Sequence, residues 1–210
     1  MSNVTRSVII GFLLLSFFAL SEADEDSSSP YFDKTPFKNS TMFILKVNWD
    51  TRAKYRLKLA NLRSYQRVNQ SISANFDVLF KEIERIRWGI GAQYQLPRSI
   101  SGLSGKFNFM PIYAHMIAYP FLENDFPYIV ARIGYNLFLG DNVFRIDYDN
   151  DTTLKGGLYY AYGVGTARRL KTGLVLTEIV LSFNKGFIET PEAQFDIKYS
   201  RLLFTLGYGF

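Results

Sequence analysis

A single histidine, His115, is the one side chain in this sequence suited by type to proton transfer near neutral pH. An imidazole can take the proton of a serine hydroxyl when a carboxylate orients its ring, and the partners in phase with it are Glu178 and Ser182. Strand parity, developed below, places Ser182 nearer one rim than His115, so no hydroxyl is expected beside the ring. The plainer expectation is a histidine hydrogen-bonded within a polar interior. Asp147, Asp149, Asn150 and Asp151 form a dense acidic cluster, DYDND. A calcium loop would need glycine at its sixth position and glutamate at its twelfth, and both are missing, so a solvated loop is expected. Gly163 and Gly165 lie inside a strand-like stretch and do not make a phosphate loop. The chain has no cysteine, which excludes thiolate metal sites, cysteine nucleophiles and disulfides. No catalytic residue, metal site or cofactor is assigned.

The polar residues that remain sit inside runs of period-2 alternation, the signature of strands with one apolar face. Arg132 falls in Tyr128–Leu139, where Ile129, Ala131, Ile133, Tyr135 and Leu137 oppose Tyr128, Gly134 and Asn136. Glu178 and Ser182 fall in Gly173–Phe183, opposite Val175, Thr177, Ile179, Leu181 and Phe183. His115 and Tyr113 oppose Ile112, Ala114, Met116 and Ala118; Gln93 opposes Trp88, Ile90, Ala92 and Tyr94. Asn75 and Asp77 oppose Ile72, Ala74, Phe76, Val78 and Phe80, and Leu158–Thr166 sets Leu158, Tyr160, Tyr162 and Val164 against small residues. Arg201 and Thr205 oppose Leu202, Phe204, Leu206, Tyr208 and Phe210 in the final strand. The first strand is open: Phe43, Leu45, Val47 and Trp49 share a phase with Tyr55, Leu57 and Leu59. One long strand, or a short one followed by a strand at about 54–66, both give eight strands.

A mid-membrane arginine on a lipid face costs about 2–4 kcal/mol, whereas an eight-stranded barrel interior is just wide enough for side chains to fill. The polar face is therefore predicted to point inward, with Arg132, Glu178 and Arg201 forming a network near His115 and tyrosines. The inward glycines Gly89, Gly91, Gly134, Gly163 and Gly165 fit a crowded interior. Links near 83–86, 121–127 and 167–172 are short, and those near 97–106, 140–154 and 184–194 are longer. That parity matches tight periplasmic turns and longer extracellular loops.

The termini and composition agree with a membrane barrel. Arg6, the apolar run Val8–Leu20 and the small residues of Ser21-Glu22-Ala23 read as a cleaved signal peptide over residues 1–23. Its run of about 13 residues is too short for a spanning helix, which needs about 20. Residues 24–40 read as a flexible polar lead, and 41–210 as the barrel. Of the 210 residues 17% are aromatic, with 19 Phe and 14 Tyr, an excess suited to interfacial girdles. The net charge of +5 comes from basic residues that form no block, so nucleic-acid binding is not expected. In an outer membrane that charge would meet lipopolysaccharide.

Pro111–Phe121 (PIYAHMIAYPF) followed by Phe126–Phe138 (FPYIVARIGYNLF) resembles the strand–short turn–strand signature of the OmpA-like and porin-like outer-membrane β-barrel domain group. The tail LLFTLGYGF resembles the C-terminal strand that serves such barrels as an assembly signal, with Phe210, Tyr208, Leu206 and Phe204 as its apolar positions. The resemblance covers most of residues 42–210 and departs at the basic stretch Arg52–Arg67. It implies an eight-stranded antiparallel up-and-down transmembrane β-barrel in a bacterial outer membrane, contacting lipid, lipopolysaccharide and the barrel-assembly machinery. Some barrels of this size deacylate or palmitoylate lipid A with a His–Ser–carboxylate set. A non-enzymatic scaffold with a filled lumen, or at most a narrow pore, is the leading expectation. A conduit for small or hydrophobic molecules, a lipid A-modifying enzyme and a soluble lipocalin-like barrel are the alternatives.

Overall fold

The computed structural model describes residues 41–51, 53–59, 62–83, 86–99, 105–119, 127–141, 151–170 and 173–210. The signal peptide over 1–23, the polar lead over 24–40 and Asp147, Asp149 and Asn150 lie outside them. The strands are β1 (Met42–Asp50), β2 (Ala53–Leu59), β3 (Leu62–Val68), β4 (Ser71–Ile83), β5 (Ile86–Gln95) and β6 (Arg98–Ser99). They continue with β7 (Lys106–Ala118), β8 (Tyr128–Gly140), β9 (Thr153–Lys155), β10 (Gly157–Leu170), β11 (Gly173–Glu189) and β12 (Gln194–Gly209).

Eight of these form the wall, in the order β12–β1–β4–β5–β7–β8–β10–β11 and back to β12, every pair antiparallel. The first and last strands close it, and Phe43 and Phe210 exchange backbone hydrogen bonds of 2.9 and 3.0 Å at that seam. Closure removes sheet edges, so each strand must present one whole face outward and one inward. The alternation decides which face goes where. Ile133, Val47, Ile90 and Tyr162 are more than half exposed on the outside, while Asn48, Asp77, His115 and Thr205 are fully buried inside. The chain is thus inverted relative to a soluble barrel, with a band of large apolar side chains on the exterior and polar side chains at the middle of the interior.

Two segments depart from the sequence reading. The first strand ends at Asp50, and the basic stretch after it folds as a β2–β3 hairpin that continues the β1–β4 pair. Here β12 changes partner: Leu203 pairs with Asp50, but Ser200 pairs with Lys54, so four residues of the first strand span three of the last. That extra residue reverses the facing. Tyr55, placed by strict alternation on the side of Trp49, is buried inside; the side chains of Leu57 and Leu59 lie outside the described residues. The second departure is at 184–194, expected as a long link. β11 and β12 instead stay paired as far as Glu189 and Gln194, leaving a four-residue turn at 190–193. Ile188 and Ile197 carry the pairing that far because both are buried beneath the hairpin's inner face.

Candidate functional site

The inward residues of the first strand pass through every layer of the lumen in order. Met42 and Ile44 belong to an apolar floor with Leu79, Ile117, Tyr128, Val130 and Leu176, at the end that carries the seam and Phe210. Lys46 enters a first ionic tier, Asn48 a belt of amides and hydroxyls, and Asp50 a second ionic tier. Beyond the register change, Tyr55 joins an aromatic cap with Phe107, Phe109, Phe138 and Tyr199.

In the first tier the Lys46 ammonium donates to Glu178 at 2.6 Å and lies 3.0 Å from Asp77. Arg132 donates to the other Glu178 oxygen at 2.6 Å, and the Tyr128 hydroxyl donates to Glu178 at 3.0 Å. Tyr113 donates to Asp77 at 2.7 Å while the Arg132 guanidinium lies over its ring, 5.5 Å from the centroid. Two cations thus face two carboxylates, all four fully buried. Glycines make the room. A Cβ on Gly91 would stand 2.1 Å from Asp77 Oδ1 and 2.6 Å from the Tyr113 ring, and one on Gly207 would stand 2.9 Å from Lys46.

The belt above links four strands, β1, β4, β5 and β12. Asn48 donates to Asn75 at 2.6 Å, Thr205 donates to Asn48 at 2.7 Å, and Gln93 donates to Ser73 at 2.7 Å. In the second tier Asp50 accepts from both Arg98 and Arg201. Arg201 also donates to Ser182 at 3.1 Å and to Gln93 at 3.2 Å, and Arg98 donates to Tyr199.

The expected network of Arg132, Glu178, Arg201 and His115 is therefore divided. Arg132 and Glu178 meet directly, but Arg201 lies in the other tier, with Asp50 as its counter-ion. The reason is strand geometry: Glu178 and Arg201 are inward residues of neighbouring strands, but Glu178 pairs with Thr205, two inward positions nearer the C-terminus than Arg201. His115 sits with Nδ1 3.4 Å from Asp77, and neither ring nitrogen has a hydrogen-bond partner among the described residues. No triad is assembled from His115, Glu178 and Ser182: Glu178 is held by Lys46, Arg132 and Tyr128, and Ser182 by Arg201. Of the acidic loop cluster only Asp151 is described, and it is exposed.

Lys46, Asp77, Asp50 and Arg98 were not picked out by sequence. Lys46 and Asp77 stand on the polar phase of their strands, and that phase was their signal. Arg98 lies in a stretch that reads as an outer loop, but β6 folds back onto β7 and buries it. In the tail, Phe210, Tyr208 and Leu206 are exposed, whereas Phe204 is covered by Trp49, their rings 5.8 Å apart, and takes little part in the outer band.

A closed eight-stranded antiparallel barrel, apolar without and ionic within, is the fold of the small outer-membrane barrel proteins. The solid-state NMR structure of outer membrane protein AlkL in DMPC lipid bilayers superposes with a TM-score of 0.51 at 13% identity, covering 90% of this chain and 97% of that one. The crystal structure of OprG from Pseudomonas aeruginosa gives a TM-score of 0.49 at 14% identity, covering 82% and 97%. No protein-family model matches the chain, and neither does any curated protein.

Proposed function

We propose that this chain is an integral protein of a bacterial outer membrane, a non-enzymatic scaffold with a closed lumen. On this reading the end bearing Phe210 and the strand ends Ile83, Ile86, Ala118, Tyr128, Leu170 and Gly173 faces the periplasm. The β2–β3 hairpin, β6, β9 and the 190–193 turn face the exterior. The exposed band of Leu45, Val47, Ile90, Ile133 and Leu206 meets lipid, and the C-terminal strand is offered to the assembly machinery. The observation that carries the reading is the filling of the lumen, in which two ion-paired tiers and an amide belt lie between an apolar floor and an aromatic cap. Paired charges of this kind specify packing and register more than they add stability.

Planar-bilayer recording of the purified protein is the test. Insertion without resolvable current steps is expected; steady conductance through monomers would replace the closed scaffold with a conduit. Lipid A recovered unmodified from cells producing the protein is expected as well, and a changed acylation pattern dependent on His115 would make it an enzyme.

A further inference from the structure

On the outer wall, beside the β2–β3 hairpin, the ladder sets cations against one another. Lys185 on β11 pairs with Lys198 on β12, and Lys198 pairs in turn with Arg56 on β2. Their chain neighbours Asn184, Tyr199 and Tyr55 are buried inside, so all three project outward. Like charges directly opposite on a sheet repel and destabilise it. Among the described residues none of the three has a carboxylate partner. Arg56 lies over the Tyr65 ring at 5.9 Å and Lys185 over the Phe187 ring at 4.7 Å. The nearest acid on the outward phase, Asp196, sits opposite Lys58 and forms no ion pair. The row borders a groove of about 560 Å³ that Tyr160 and Phe183, stacked 4.6 Å apart, also line. From there toward the seam end the exterior is apolar, continuing through Tyr162, Val164 and Ile179.

We propose that this row and groove bind a phosphorylated glycolipid of the outer leaflet. Its anionic groups would rest on Arg56, Lys198 and Lys185, and an acyl chain along Tyr160 and Phe183. The proposal rests on the membrane reading above, which sets the row at headgroup height and the groove at the top of the hydrocarbon. Neighbouring strands are about 4.8 Å apart, so three cations spread over roughly 10 Å, more than one phosphate spans. A headgroup with two separated phosphates matches that spread and relieves the repulsion. Tyr65, 59% exposed at the end of the row, presents a ring face to a sugar.

The test uses the protein in phosphatidylcholine nanodiscs, with native mass spectrometry to count retained molecules of bisphosphorylated lipid A. One retained molecule is expected, with occupancy falling at least tenfold for R56A/K185A/K198A and for dephosphorylated lipid A. Equal retention in either comparison overturns the proposal. So does tighter binding of soluble inositol hexaphosphate than of lipid A, which would make the site one for a dissolved polyanion. Lys198→Gln should raise the unfolding temperature of the lipid-free barrel by about 1–3 °C while weakening retention, because it breaks the row of like charges. A fall in that temperature would remove the argument. Heat-modifiable migration on gels reports insertion separately: a chain that never inserts defeats the membrane reading, and an inserted barrel indifferent to lipid A defeats only the glycolipid site.

Discussion

Replacing Glu178 by glutamine tests whether the first ionic tier is a balanced unit. The carboxylate accepts from Lys46, Arg132 and Tyr128 at 2.6, 2.6 and 3.0 Å, with every partner buried. Opposite charges about 4 Å apart interact by roughly 4 kcal/mol at an effective dielectric of about 20. Glu178→Gln keeps the volume and one acceptor but leaves two cations facing Asp77 alone. Removing one member of a buried pair costs about 3–5 kcal/mol, and the retained acceptor sets the expectation near the lower bound, about 3 kcal/mol. Lys46→Met in the same background restores the balance of one cation to one carboxylate. The double variant should therefore be more stable than E178Q alone, although Lys46→Met by itself destabilises. Equilibrium urea unfolding in lipid vesicles, followed by the fluorescence of Trp49 and Trp88, measures all four proteins. Additivity of the two single costs to within about 0.5 kcal/mol would refute the balanced-tier argument, as would a loss below about 1 kcal/mol for E178Q.

Three further outcomes follow from the same geometry. Ile133→Arg, at a side chain 62% exposed in the middle of β8, should cost about 2–4 kcal/mol in vesicles; a change within about 0.5 kcal/mol, normal for a water-exposed site, would contradict a lipid-facing wall. Gly91→Ala forces a methyl against Asp77 and Tyr113 and should cost about 1–3 kcal/mol, read as a lower urea midpoint. Phe210→Ala removes ring contacts with Phe43 at 6.1 Å and Tyr208 at 6.5 Å but keeps the backbone seam, so refolding in vitro should lose only about 1 kcal/mol. Its yield in the outer membrane of producing cells should fall several-fold if the tail is an assembly signal, and an unchanged yield would discard that role.

Much of the barrel is legible in the sequence because a closed sheet with an apolar outside must alternate, and alternation survives in strands such as Ser71–Ile83 and Ile86–Gln95. Which polar groups meet is less legible. Tilt and stagger put Glu178 level with Thr205 rather than Arg201, and no single strand encodes the offset. Arg98 shows a second limit: a loop arginine folded inward has the same local pattern as one in solvent. Tyr55 shows a third, since one extra residue beside β12 reverses the facing of the strand that follows without altering composition. The outer cation row was hidden for a related reason. Lys185, Lys198 and Arg56 are scattered along the chain and become neighbours only through the ladder.

The placement of Lys46 and Asp50 on β1 has a consequence for how the barrel is completed. Both groups find their counter-ions on the far side of the seam, Lys46 on Glu178 of β11 and Asp50 on Arg201 of β12, more than 130 residues away in sequence. Until the first and last strands join, those four charges have only part of their compensation. Ring closure therefore completes the pairing of both tiers. A seam slipped by one residue would turn the β1 charges toward lipid, and one slipped by two would set each against the wrong tier. The ion pairs across the seam thus favour one alignment of the first and last strands.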